Sequence, residues 1–321
     1  RRPSSANSAP AAGHRGITAV DLLLTRLDFL LRLPPGHKPH QLLERLRKTF
    51  RDCFRAIVCR QPGGCDCCPD THNCPYRLIF GQVLAADPEA VRRHQKPPLP
   101  FVFELRPVSG NQQKGVSFEL GLVLVGSATY HVPVFCATLM AVFRSLPGCY
   151  LAGIDSVGCS GSAAPVLNGD GAIALDRLAT ISAEDILAVS TLPPDQARLN
   201  FITPLCIVQD GKAIREFSFS RFIATLLRRV SSLAYYYGGS ALELDYKRLS
   251  GLGKEVRIVE NALRYTDRDN CQKEGLTGSC LVTGNLYEFH PVLLLGEYLH
   301  CGKGAAYGMG RYRISRPVAG K

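Results

Sequence analysis

The residues of this chain that could do chemistry are its eight histidines, its thirteen cysteines and a glycine run flanked by cations near the C-terminus. Imidazole titrates near neutrality, so a histidine can take or give a proton at working pH. His37 and His40 lie just ahead of a helical pattern, where the positive end of the helix dipole disfavours the imidazolium and keeps a neutral base available. Lys48 falls about two turns beyond His40 on the same side, placed to add positive charge there. His14 sits in a polar tail, His72 among the cysteines and His94 in a polar loop, and these are set aside. His131 and His290 each open an apolar stretch and read as structural. His300 precedes Gly302 and Lys303, so it competes with His37 and His40 for a role in catalysis, or else anchors the loop that follows.

That loop, Cys301 to Arg311, reads CGKGAAYGMGR, with glycines at 302, 304, 308 and 310 and cations at Lys303 and Arg311. Glycine lets backbone approach a ligand closely and turn several amides toward one phosphate. A phosphate-loop ATPase would need a GK[ST] ending and a helix after it. A dinucleotide fold would need a strand–loop–helix unit and a downstream acid. Neither is present, and the run by itself reads equally well as a turn with a bulge. Cys59, Cys65, Cys68 and Cys74 are spaced C-x5-C-x2-C-x5-C, with Cys67 and His72 as spare donors. Four thiolates at such spacing can close a structural zinc site; an iron–sulfur cluster and free thiols are the other readings.

The elements that must hold these groups follow from periodicity. Residues 20–33 form an apolar run stopped by Pro34-Pro35-Gly36, which predicts a strand. From His40 to Cys59, Leu42, Leu43, Leu46, Phe50, Phe54 and Ile57 recur at helical steps. The opposite face carries Arg45, Arg47, Lys48, Arg51 and Arg55 against Glu44 and Asp52, either an ordinary solvated face or a surface for a nucleic-acid backbone. Strands are expected at 76–86, 99–108 and 116–126, then a helix from His131. Residues 196–212 open a second strand–helix unit whose helix carries Phe222, Leu226, Val230 and Leu233. The order predicts an α+β chain of two tandem ferredoxin-like domains. Residues 1–16 form a solvated tail without the apolar core of a secretory signal. Residues 17–158 form the first domain with its cysteine loop at 59–75, 159–195 a linker or insertion, and 196–321 the second domain.

With 38 Lys+Arg against 27 Asp+Glu, the net charge of +11 favours a polyanionic partner over an acidic small molecule. No stretch of about 18 residues is uniformly apolar, so no membrane is expected as a partner. An odd number of cysteines in so long a chain fits a reducing cytoplasm.

HPVLLLGEYLHCGKGAAYGMGRYRI closely resembles the C-terminal signature of the CRISPR repeat-processing endoribonucleases of the RAMP superfamily, a leucine-rich helix leading through His-x-Gly-Lys into a glycine loop and a last strand. RYTDR at 264–268 with the following GLTG, TPLCIVQDGK, LLRRVSSL and the first-domain run LRKTFRDCFRAIVC are similar to other segments of that family, although Lys48 and Arg51 stand where glycines are usual. The resemblance covers residues 20–315. It implies two RAMP domains with a basic cleft between them, CRISPR repeat RNA as ligand, and metal-independent cleavage by the ribose 2′-hydroxyl that leaves a 2′,3′-cyclic phosphate, with no cofactor for catalysis. It also implies a catalytic histidine between the first strand and first helix: His40 ahead of His37, with Lys48 supporting the phosphate. His300, Gly302, Lys303, Gly304, Gly308, Gly310, Arg311, Arg228, Arg229, Arg264 and Arg268 are then the expected RNA contacts, guanidinium groups matching phosphate oxygens and guanine edges. Tyr265 and Tyr307 could stack on unpaired bases. The alternatives are a RAMP subunit that binds repeat RNA uncut within an interference complex of the Cascade or Csm/Cmr kind, and a zinc-stabilised structural or DNA-binding protein.

Overall fold

The computed structural model describes residues 22–317 other than 35–38, 62–64, 66–67, 70–72, 95, 109–115, 190–191, 240–241, 243–244 and 268–273. The expected tail, His37, His72, Cys67 and Arg268 lie outside the described residues.

The first apolar run becomes strand β1 (Leu24–Leu33), and helix α1 (Pro39–Val58) follows it. Leu42, Leu46, Phe50 and Phe54 of α1 are buried at three- and four-residue steps, so one stripe of the helix enters the core and the basic face stays outside. The strand expected from residue 76 is instead helix α2 (Pro75–Phe80), which buries Tyr76, Ile79 and Phe80. A short apolar run does not reveal its period, and Pro75 in the first turn gives up an N–H that the helix would not have used. Helix α3 (Pro88–His94), strands β2 (Phe101–Pro107) and β3 (Val116–Val125), helix α4 (Val132–Arg144) and strands β4 (Tyr150–Val157) and β5 (Ala163–Pro165) complete the first unit. Its sheet is antiparallel in the order β2-β3-β1-β4-β5, the ferredoxin-like arrangement with β5 added at one edge. Gly126–Arg144 is long and apolar enough by composition to cross a bilayer. Val132, Phe135, Cys136, Leu139, Val142 and Phe143 of that stretch instead pack in the core of this domain.

Residues 159–195, expected as linker or insertion, are built into the fold. Leu24 and Ile181 form a bridge, and α5 (Ala183–Ala188) is fixed at its start by Ser182 and Asp185 in a capping box. The second unit runs β6 (Gln196–Leu205), β7 (Val208–Gln209), β8 (Lys212–Ala213), α6 (Phe219–Leu233), α7 (Tyr246–Glu255), β9 (Arg257–Asn261), β10 (Arg264–Thr266), β11 (Gly275–Thr283), α8 (His290–Leu299) and β12 (Tyr312–Ser315). Its sheet order β10-β11-β6-β12, with β9 also on β11, repeats the ferredoxin-like plan.

The period-two alternation of the first sheet explains how the halves join. Leu27, Phe29, Leu31, Phe101, Phe103, Leu120 and Leu122 point to the core beneath α1 and α4, where Phe50 is ringed by Phe54, Phe80, Phe101, Phe103 and Phe135. Leu24, Val102, Val123 and Val125 point the other way and belong to the core of the second unit. On that same face stand Arg26, Asp28 and Glu104, all buried. The two domains therefore meet across an interface that is apolar at one end and ionic at the other.

Candidate nucleic-acid interface

The glycine-rich loop lies between the domains. Gly302, Gly304, Gly308 and Gly310 all have positive φ (85°, 84°, 85° and 64°), a region closed to most side chains. At Gly302 a Cβ would collide with the Cys206 carbonyl, and at Gly310 with that of Cys301. The loop's amides are largely taken up within the protein: Lys303 N–H donates to Cys206 O at 2.8 Å, Gly310 N–H to Pro204 O at 3.0 Å, Tyr307 N–H to Gly304 O at 2.9 Å and Gly308 N–H to Ala305 O at 3.1 Å. The expected cradle of amides around a phosphate is thus not what these glycines form. They let the loop fold tightly enough to seat on the first domain, with Gly308 against Leu43 of α1.

The neighbours of the loop follow the same logic. Tyr307 packs against Phe101 and Phe103 at 5.7 and 6.0 Å between centroids. It is partly buried against the first-domain core, and burial pushes its hydroxyl up to about 12. Tyr265 lies under the Arg215 guanidinium, 4.8 Å from the ring centroid. Arg311, expected to reach RNA, is 8% exposed. It pairs with Glu104, and its Nη1 donates to the Leu105 carbonyl at 3.4 Å. Glu104 also faces Arg313 and Arg106 at 3.6 Å and Arg26 at 4.0 Å, while Arg106 reaches Asp28 at 2.7 Å.

His300 is wholly buried and holds an uncommon backbone at φ 58°, ψ 173°. Neither ring nitrogen makes a hydrogen bond of good geometry among the described residues, although the Ala305 backbone acts on the ring as an acceptor. Burial, then Arg311, Arg229 and Arg313 alongside, hold its imidazole neutral, well below the usual histidine value. Enclosed in this way, it serves the loop's packing and cannot touch RNA directly.

Beside the loop opens a groove of about 430 Å³, lined by His94, Lys96, Pro98, Cys206, Ile207, Val208, Thr225, Arg228, Arg229, Ser232, Gly302 and Lys303. Arg228, Arg229, Gly302 and Lys303, chosen from separate stretches of sequence, come together here. His94 and Lys96 join them from the first domain because α3 docks on α6: Ser232 Oγ donates to the His94 carbonyl at 2.8 Å, and the His94 ring stacks on Tyr235 at 4.5 Å. Lys96, Arg228 and Lys303 are exposed, and among the described residues no carboxylate pairs with them or lines the groove. Arg229 is half-buried. Its Nε donates to the Leu299 carbonyl at 2.8 Å, and burial draws its guanidinium down to about 10, still charged at neutral pH. A cation-lined cleft of this kind concentrates potential and attracts a phosphodiester backbone.

The other expected residues stand apart. Arg264 lies exposed on β10, at the edge of the second sheet away from β12. Lys48 is exposed and turned to Glu44 at 2.9 Å, an ion pair worth little in water that a phosphate can displace. His40 falls in the first turn of α1. Cys59, Cys65, Cys68 and Cys74 are partly exposed free thiols. Among the described residues no three metal-binding side chains converge, and the four-cysteine zinc site is not supported. Arg55 beside Cys59 and Cys65 has its basicity raised, chiefly by its hydrogen bond with Cys59.

Comparison with known proteins agrees with this architecture. The family CRISPR-associated endoribonuclease Cas6 matches residues 199–312, and a family described as an N-terminal domain matches residues 24–149. Thermus thermophilus Cas6 superposes with a TM-score of 0.51 at 13% identity, covering 92% of this chain and 99% of that one. A Cas6 product complex gives 0.51 at 15% identity, covering 91% and 100%, and a Cas6 substrate-mimic complex 0.51 at 14%, covering 91% and 99%. At such identities the structural likeness speaks for the fold. No curated protein matches the chain in sequence. The sequence match to the CRISPR-associated endoribonuclease family Cas6 thus covers the second domain, and the whole chain shares the fold of the solved Cas6 proteins.

Proposed function

We propose that this protein binds CRISPR repeat RNA and cuts the precursor transcript into guide RNAs by metal-independent attack of a ribose 2′-hydroxyl. The observation that carries the reading is the cation-lined groove between two ferredoxin-like domains, set beside the family's glycine loop. Lys96, Arg228, Arg229 and Lys303 would neutralise successive phosphates, and α6 and the glycine loop give the strand a rigid wall. Cleavage of this kind needs a group to take the 2′-hydroxyl proton, one to protonate the leaving 5′-oxygen, and cations to hold charge on the phosphorane. His40 and His37 are the candidates at the start of α1 for proton transfer, with Lys48 released from Glu44 when RNA arrives. The place of work would be the cytoplasm, where repeat transcripts are made.

The test is incubation of the protein in EDTA with end-labelled repeat RNA and with a copy carrying one 2′-deoxyribose at the cut site. One cut ending in a 2′,3′-cyclic phosphate, with the deoxy copy intact, is the expected result. Tight binding without a cut would make this a non-cutting RAMP subunit, and cutting only with added metal would refute the mechanism.

A further inference from the structure

Among the histidines whose side chains are described, His131, His290 and His300 are accounted for by packing. His290 Nε2 lies 3.0 Å from the Pro193 carbonyl, His131 closes the turn before α4, and His300 is sealed in the interface. His94 differs. It ends α3, lines the cation-rich groove and is 4% exposed. Its ring is fixed from three sides: stacked on Tyr235 with 13° between planes, edged by Tyr236 at 6.4 Å, and held through Nδ1 at 3.4 Å from Ser231 Oγ. No described residue bonds Nε2, the opposite nitrogen. An imidazole held through one nitrogen, its other nitrogen without a described partner, in a residue lining a cleft that can hold a phosphate, has the makings of a proton-transfer group with its orienting partner.

We propose that His94 is a further catalytic residue of this site, its Nε2 meeting the 2′-hydroxyl of an RNA strand held in the groove by Arg228, Arg229 and Lys303. The inference rests on the repeat-RNA reading above. Nε2 takes the 2′-hydroxyl proton as that oxygen bonds to phosphorus and the P–O5′ bond breaks. The departing 5′-oxygen takes a proton from solvent water, leaving a 2′,3′-cyclic phosphate and a 5′-hydroxyl. Burial, and secondarily Arg93, keep the His94 imidazole below its usual value and so neutral, the form that can accept a proton. Ser231 acts as a positioning residue through Nδ1.

The experiment is single-turnover cleavage of repeat RNA in EDTA across the pH range, with His94→Gln and Ser231→Ala beside the unaltered protein, together with RNA affinity and thermal melting. His94→Gln is expected to bind within about threefold of the unaltered protein and to cut roughly 10²–10⁴-fold more slowly, the usual worth of a positioned base. It should also lose the acid limb of the rate profile. Ser231→Ala is expected to keep that limb, displaced, with a smaller loss. His94→Gln cutting at the normal rate would overturn the proposal. So would losses of affinity, melting temperature and rate in step in both variants, since a packing role predicts that pattern. If the unaltered protein binds repeat RNA but never cuts it, the underlying reading fails, and the role of His94 fails with it.

Discussion

Replacing Glu104 by glutamine should destabilise the protein more than almost any other single exchange of similar size. The Glu104 side chain is 3% exposed, and the guanidinium groups of Arg311, Arg313, Arg106 and Arg26 all lie within 4.0 Å of its oxygens. The other described carboxylates near this cluster are Asp28, at 2.7 Å from Arg106, Glu119, at 3.4 Å, and Glu297, which acts on Arg311 and Arg313 without pairing with either. Without Glu104 the buried Arg311 side chain, already held below its usual value by burial, keeps neighbouring cations and loses its counter-charge. Breaking a buried pair by removing one partner costs about 3–5 kcal/mol, mostly from the stranded charge. For a chain of this size that amounts to roughly 6–20 °C in melting temperature. Because the cluster lies between the domains, the loss should also split thermal unfolding into two steps. Glu104→Leu combined with Arg311→Met should recover much of the loss, since the stranded charge goes with its partner. Urea titration and calorimetry of the two variants decide the matter. A loss under about 1 kcal/mol for Glu104→Gln would mean that water or another carboxylate reaches Arg311, and the buried ionic interface would be the wrong description.

Three further expectations follow from the same geometry. His300 stays neutral when folded and charges near pH ~6.5 when unfolded, so stability should be unaffected by it above that pH and fall by up to about 1.4 kcal/mol per pH unit below it. His300→Asn should flatten that slope in urea midpoints measured on either side of the unfolded value. Gly302→Ala places a methyl group against the Cys206 carbonyl at φ 85° and should cost about 1–3 kcal/mol, read by the same titration, with weakened RNA affinity as the loop shifts. Arg228→Glu or Lys303→Glu should weaken repeat-RNA binding without a change in melting temperature and lower the slope of log affinity against log salt by about 0.7 for each phosphate no longer neutralised.

The fold was legible in the sequence because its two signals are strong: the helical steps of Leu42, Leu46, Phe50 and Phe54, and those of Phe222, Leu226, Val230 and Leu233, each beside apolar strands. The segment at 75–80 misread as a strand, since six apolar-rich residues fit either period. Of the groove's lining, Arg228, Arg229, Gly302 and Lys303 were singled out through the family resemblance of LLRRVSSL and the glycine run. His94 and Lys96 were not, because only the docking of α3 onto α6 brings them there. The charged residues of β1 and β2 held one missed clue. Arg26, Asp28 and Glu104 alternate with core residues, and a polar face on a strand ordinarily meets water. Here it meets Arg311 and Arg313, and that long-range pairing turns the glycine loop's cation from an RNA contact into an interface residue. The cysteine spacing suggested zinc because spacing cannot report whether the thiols converge.

The central claim, that RNA lies in the groove between the domains, is tested most directly by cross-linking. Repeat RNA carrying 4-thiouridine would be irradiated on the protein and the joined peptides identified by mass spectrometry. Cross-links are expected in the segments holding His94 and Lys96, Arg228 and Arg229, and Gly302 and Lys303. Cross-links confined to the surfaces of α7 and β9, with none in those segments, would contradict it.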